Sequence, residues 1–426
     1  EKALKLIETN VREADNKHVE RRELAQLYSL TPNPEYAARV AQILSSLQLY
    51  QSLNASDTLL LARAYDMLGK TEKADEHWQS LLGFSDLTPG MRKQYVERSL
   101  KQGEWRDARL QIRRLEAQVG LDHDVLRYTA WATCLKDEQA DEAITLIDRY
   151  LADAHNGMDL ARTGVAAGVL VRLVEEFGHV EAIALEFATY ADRLYSQLTS
   201  TQPTAALAHS MLLSSINRGA DAIEALAAVR GQVDETQRLA AAIRVVETSE
   251  VPSDAVGMTG KWVEELIAGR PTAQGLILFE HYLRVIGEFD RARELNRQLL
   301  ELMPDNVVVL NNQAWLMTTL NRPDAALPLI ERAIQTAGPL PFLLDTCAMA
   351  RAATGDAAQA IRDLEKALAQ DDSDVIRFHL TLVHFNAGSI DAAKFHFERI
   401  RSDKDRLRRL LPINERSEFD RLVAQL

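Results

Sequence analysis

Between residues 307 and 340 the apolar positions fall into two sets. Leu310, Ala314 and Met317 recur at steps of four and three, and Ala326, Ile330 and Ala333 do so again after Asn321. Such steps put each set on one face of a helix, so the stretch predicts two amphipathic helices. Asn321 stands where the first helix must end, and asparagine tolerates the left-handed backbone that such an end requires. Ala326 has to be small because two helices of a hairpin approach closely there.

The same plan recurs. Residues 341–373 supply Leu344, Cys347, Ala348, Gly355, Ala360, Leu364 and Ala367, and residues 55–88 supply Leu61, Ala62, Tyr65, Gly69, Ala74, Trp78 and Leu81. A glycine leads to an alanine five residues later at Gly69–Ala74, Gly103–Ala108, Gly287–Ala292, Gly355–Ala360 and Gly388–Ala393, with Asn321–Ala326 in the same beat. From Ala292 to Ala393 the alanines are 34, 34 and 33 residues apart. A fixed period of this size signals stacked repeats, each packing on its neighbours. Pro304 follows the second helix of the 273–306 unit, a position where proline is readily accommodated.

These residues closely resemble the tetratricopeptide repeat, a helix–turn–helix unit. The match lies in the small residue at the eighth position (Ala62, Ala314, Ala348), the turn Gly or Asn, the alanine after it, and the small residue late in the second helix (Ala333, Ala367). The resemblance implies an all-α fold, a right-handed superhelical solenoid of about 11–12 hairpins. The stretch from Leu310 to Leu426 also resembles the ends of bacterial repeat proteins.

Phasing on the second-helix alanine gives Ala3, Ala37, Ala74, Ala108 and Ala143, then Ala182 and Ala222, then the four from Ala292. This divides the chain into an N-terminal array over 1–154, degenerate helical hairpins over 155–272, a C-terminal array over 273–400 and a capping helix over 401–426. A further unit near 236–270 is inferred from the space available. Val251–Gly260, with Pro252, Gly257 and Gly260, reads as a loop. Glu1–Leu4 match the start of a second helix, so the first repeat is incomplete and the chain is expected to come from a longer protein. At the other end Arg406, Arg408 and Arg409 give the capping segment a polar outer face.

Composition removes some function classes. The net charge of −13 argues against nucleic-acid binding, which rests on neutralising phosphates with Lys and Arg. No apolar run reaches the ~18 residues of a membrane span. Cys134 and Cys347 fall on inward faces of separate hairpins, so they are expected as buried thiols and not as a disulfide. Compartment, cytoplasmic or periplasmic, stays open. There is no phosphate loop, His-Glu-x-x-His, Cys-x-x-Cys or Gly-x-Ser-x-Gly, so neither cofactor, metal site nor enzymatic activity is expected. The nearest metal-like set is His379, His384 and His396. His379 and His384 point about 140° apart on a helix and cannot chelate one ion.

The resemblance implies that the first helix of each unit lines a concave groove, through positions two, five, six, nine, twelve and thirteen. Carried over, the C-terminal groove would show His281, Arg284, Asn311, Asn312, Trp315, Asp345, Met349, Phe378, His379 and Phe385. The N-terminal groove would show Arg22, Arg63, Lys93, Gln94, Lys101, Tyr128 and Lys136, with Glu23, Asp66 and Glu97. Asparagine offers a peptide backbone both a donor and an acceptor, and aromatic side chains supply contact area. The clamp by which some members hold an acidic chaperone C-terminus is not matched. Ile277, His281, Phe342 and Thr346 stand where its cations and first Asn belong, and only Asn312 fits. Leu59, Arg63, Gln94, Val125 and Thr129 do not fit either. The expected function is a non-enzymatic scaffold that binds a protein or peptide partner in the groove. Two alternatives are the repeat region of a larger bacterial enzyme or envelope or secretion assembly component, and a self-associating structural solenoid.

Overall fold

The computed structural model describes residues 17–30, 34–152, 159–268, 271–400 and 404–426. Among them are 24 helices and no strand. The first twenty-two follow one another as eleven pairs. Through residue 199 they are α1 Lys17–Ser29 and α2 Pro34–Gln48, α3 Ala55–Met67 and α4 Thr71–Leu81, α5 Pro89–Lys101 and α6 Trp105–Val119, α7 His123–Asp137 and α8 Asp141–Ala152, then α9 Leu160–Glu176 and α10 Glu181–Thr199. There follow α11 Ala205–Ser215 and α12 Gly219–Ala228, α13 Glu235–Thr248 and α14 Ser253–Ile267, α15 Ala273–Val285 and α16 Phe289–Leu302, α17 Val307–Thr319 and α18 Pro323–Ala337, α19 Pro341–Ala353 and α20 Ala357–Gln370, then α21 Asp374–Asn386 and α22 Ile390–Phe397. Two further helices, α23 Lys404–Leu410 and α24 Arg416–Gln425, complete the described chain. The array forms two compact units that divide between Ala191 and Asp192, within α10. Ala3 lies outside the described residues.

The turn inside each hairpin explains the glycine beat. Gly69, Gly103, Gly287, Gly355 and Gly388 all have positive φ, as does Asn321 at 58°. The next residue donates its N–H to the carbonyl five residues back: Lys70 to Tyr65 at 2.9 Å, Arg322 to Met317 at 2.8 Å, Asp356 to Arg351 at 2.9 Å. These bonds satisfy carbonyls left free at the end of the first helix. The alanine that follows then sits where the helices meet. Ala74, Ala108, Ala143, Ala222, Ala292, Ala326, Ala360 and Ala393 have no exposed surface.

The beat also runs where glycine is absent. Glu138 (φ 54°) and Asn217 (φ 58°) take the left-handed turn five residues before Ala143 and Ala222. Ala182 does not close its hairpin. It is exposed, and its neighbour Ile183 is buried, so the register slips by one residue in α10.

Val251–Gly260 is not a loop: all but its first two residues belong to α14. Pro252, with φ −57° and ψ 148°, stands immediately before the helix and starts it. Gly260 is there for space. A Cβ on it would lie 2.5 Å from the Tyr282 hydroxyl and 2.9 Å from Cζ, so its absence lets α15 approach α14.

Asn54, which opens a formal glycosylation sequence, caps α3. It accepts from the Asp57 N–H at 2.8 Å while the Asp57 carboxylate accepts from the Asn54 N–H. Both cysteines are buried, unbridged thiols, with burial pushing their pKa up to about 12 at Cys134 and about 11 at Cys347. Such thiols are inert at neutral pH. Among the described residues no helix is long and apolar enough to cross a membrane.

Candidate partner-binding faces

In the N-terminal unit the first helices α5, α7 and α9 carry a ladder of charges that pair with one another. Lys93 on α5 reaches Asp122 at 2.9 Å and Asp124 at 2.7 Å. Asp122 also caps α7 by accepting from the Val125 N–H. Burial opposes the charge on Lys93, but the two aspartates outweigh it and raise its pKa. Arg127 on α7 lies 3.5 Å from Glu97 on α5 and 3.7 Å from Glu176 on α9, so one guanidinium ties three first helices. Arg22 is likewise engaged, with Asp57 at 2.7 Å. Lys101 pairs with Glu97, and Arg98 with Asp66 and Asp75.

Tyr128 departs from the groove expectation. It is buried, with the Arg127 guanidinium 4.6 Å from its ring centre and its hydroxyl 3.4 Å from Glu97. Burial pushes its pKa up to about 12. Arg63 is exposed beside an apolar notch lined by Tyr28, Val40, Leu60 and Met67.

In the C-terminal unit a polar belt crosses successive first helices. His281 Nε2 on α15 faces Glu247 on α13 at 3.5 Å. Glu280, fully buried, accepts from Arg284 Nε at 2.7 Å and from Asn312 Nδ2 on α17 at 3.2 Å. Burial raises the Glu280 pKa, and Arg284 and His281 offset part of that. Arg284 also lies 5.7 Å from the ring centre of half-buried Trp315, which packs edge-on against Phe289. The neighbouring Asn311 carboxamide oxygen is shielded from solvent and has no hydrogen-bond partner.

Farther along, His379 on α21 sits between two carboxylates. Its Nδ1 is 2.6 Å from Asp345 on α19, and its Nε2 is 3.0 Å from Glu415. Glu415 belongs to the C-terminal tail, residues 404–426. Leu407, Leu411, Phe419 and Leu422 of that tail are buried with Phe378 and Leu382 of α21, and Phe419 meets Phe378 edge-on at 5.6 Å.

The tail reaches well beyond α21. Ile413 Cγ2 stands 3.5 Å from where a Cβ on Gly287 would be, in the α15–α16 turn. Arg416 Nη2 lies 3.5 Å from the Glu247 carbonyl at the end of α13, and Arg416 Nε donates to the Leu411 carbonyl at 3.1 Å. The tail therefore runs from the last hairpin back to one four hairpins earlier. This differs from a cap confined to the end of the array. Phe378 and His379, expected as open groove residues, are covered by it. Half-buried Phe385 lies under the Arg421 guanidinium, 5.3 Å from its ring centre.

The groove positions do not account for Glu280, Glu247, Glu415 and Phe419. Glu280 carried a signal, since it occupies the eighth position, where Ala62, Ala314 and Ala348 stand in their units. The three C-terminal histidines fall into two sets. His379 pairs with carboxylates, whereas the His384 and His396 rings stack on each other at 5.5 Å. Among the described residues no group of three or more His, Cys, Asp or Glu is placed to hold a metal ion.

No family model matches the chain, and no curated protein matches it by sequence. Solved structures similar to it are tetratricopeptide-repeat proteins. Yeast Tom70 is 15% identical, with 99% of this chain and 91% of that one covered at a TM-score of 0.46. A tetratricopeptide repeat protein from Parabacteroides merdae is 12% identical over 77% and 98%, at 0.30. MamA from Desulfovibrio magneticus is 15% identical over 39% and 94%, at 0.32. These superpositions are loose, and the fold rests on the period and the helices themselves.

Proposed function

We propose that the chain is a non-enzymatic scaffold that binds a protein or peptide partner along the face formed by the first helices of its hairpins. What carries this reading is the tail of the C-terminal unit, where an amphipathic segment already lies on that face. Its acid meets His379 and its aromatic ring meets Phe378. Half-buried Trp315 supplies the kind of contact area in which binding energy concentrates. In the N-terminal unit the cations are largely engaged with neighbouring acids, so a partner there would have to exchange ion pairs. Arg63 is the exposed cation from which such contact would start.

The test places a photo-crosslinking amino acid at Arg63 or Trp315, on first helices, and at Lys366, exposed on the second helix α20. Partners captured from the first two sites and not from Lys366 support the reading. Capture from Lys366 alone, or equally from all three, would overturn it.

A further inference from the structure

Residues 404–426 are built like a ligand of the face they cover. Their contact with the repeats runs through both short helices: Leu407 of α23, Leu411 after it, and Phe419 and Leu422 of α24 are buried with Phe378 and Leu382 of α21. Glu415 is the N-cap residue of α24, and its carboxylate meets His379 at 3.0 Å. Phe419, four residues on, meets Phe378, and Leu422, three further, is buried in the same cluster. The opposite edge of α24 is solvent: Ser417, Asp420 and Arg421 are exposed. The reach back to α13 is made by α23, which packs against it, and by Arg416, whose guanidinium meets the Glu247 carbonyl at 3.5 Å. Such a segment is held by an acid, an aromatic ring and leucines.

We propose that the tail is a built-in competitor for this face, and that the partner presents an amphipathic helix of the same chemistry. That helix would carry a carboxylate at its first turn for His379, an aromatic residue four positions on for Phe378, and a leucine three further. This rests on the scaffold reading above and adds the recognition chemistry to it. With the tail seated, only the fraction of molecules whose tail has lifted accepts the partner, so apparent affinity falls in proportion to that fraction. With the tail lifted, His379 keeps Asp345 and lacks its second carboxylate, which the incoming helix restores.

The probe is a fluorescein-labelled synthetic peptide of residues 404–426, titrated by anisotropy into the full chain. Three chains are compared: wild type, a tail-weakened Glu415→Ala/Phe419→Ala variant, and that variant with His379→Gln added. Circular dichroism checks that each is folded. The expected result is binding to the tail-weakened chain at least about tenfold tighter than to wild type, with most of the gain removed by His379→Gln. Equal binding to all three chains overturns the proposal, as does absence of binding to a folded tail-weakened chain. If wild type doubles its mass in light scattering and Phe419→Ala abolishes the doubling, the tail seats in a second copy, and the competitor in cis is overturned. Crosslinking from Arg63 and Trp315 reads the scaffold function separately. Capture there with no peptide binding removes the competitor and leaves the scaffold. Peptide binding with no capture supports the competitor's seat and removes the scaffold.

Discussion

His379 and Glu415, 36 residues apart, are joined by a 3.0 Å contact between an imidazole Nε2 and a carboxylate oxygen. The contact ties the tail to α21, and it depends on charge. Burial is the largest single influence on His379 and disfavours its charged form. Asp345 from α19 and Glu415 from the tail together outweigh burial, and hold its pKa well above the ordinary value.

A histidine whose folded pKa is raised binds its proton more tightly in the folded state. Its stabilisation is fully present below its unfolded value of about 6.5 and is lost as pH rises through the raised folded value. Amide exchange in α24, corrected for intrinsic rates, should therefore show the tail loosening on alkaline titration. His379→Gln should remove that pH dependence. A tail whose protection is the same across the alkaline range in wild type and variant would show that the pair does not hold it.

Arg284 and Glu280 give a second pH test with the opposite direction. Arg284→Met leaves the buried Glu280 carboxylate without its cation, and losing one partner of a buried pair costs about 3–5 kcal/mol, less here because Arg284 reaches solvent. Glu280 already has a raised pKa, and the substitution raises it further. The loss should thus be largest at alkaline pH and shrink as acid protonates Glu280. Urea midpoints of wild type and variant across pH measure it, and a loss independent of pH would contradict it.

Two glycines of one helix should respond in opposite ways. At Gly257 an added Cβ meets nothing within 4 Å, so Gly257→Ala should stabilise α14 by roughly 0.5–1 kcal/mol. At Gly260 the Cβ would strike the Tyr282 ring, which is buried and donates its hydroxyl to the Val256 carbonyl at 3.0 Å. Gly260→Ala should therefore destabilise by about 1–3 kcal/mol. Denaturant titration of each variant decides the sign.

Glu138 holds a left-handed turn that costs an L-residue about 1–2 kcal/mol. Glycine pays no such strain but loses more chain entropy. Glu138→Gly should therefore raise stability by up to about 1 kcal/mol. Gly355→Ala, with φ 94° and open space around it, should lower stability through backbone strain alone.

These turns also mark what could be read from the chain. Period and hairpin plan were legible because Gly, Asn and Ala are chosen for local reasons: a positive φ and a close helix crossing. Asn217 obeys the same rule, five residues before Ala222, although the beat read from the sequence leaves it out. Glu138 was not legible, because glutamate has no preference for that conformation. The register was lost at Ala182 because Ile183 takes the buried place. α14 was hidden because Gly260 answers to Tyr282, a residue of the next hairpin, and looks like a break from within its own segment. The groove positions located Asn312, Trp315 and His379 on the first helices. They could not show that His379 is covered, since its second carboxylate, Glu415, comes from the tail and lies outside the repeat plan.

The seat of the tail is tested most directly by a distance. Spin labels on Ile413→Cys and Glu288→Cys, both exposed positions, report whether the tail lies against the α15–α16 turn. The native thiols of Cys134 and Cys347 are buried and stay unlabelled. A short, narrow distance distribution in the resting chain, broadened by excess 404–426 peptide, is the predicted result. A long or broad distribution before any peptide is added would contradict it.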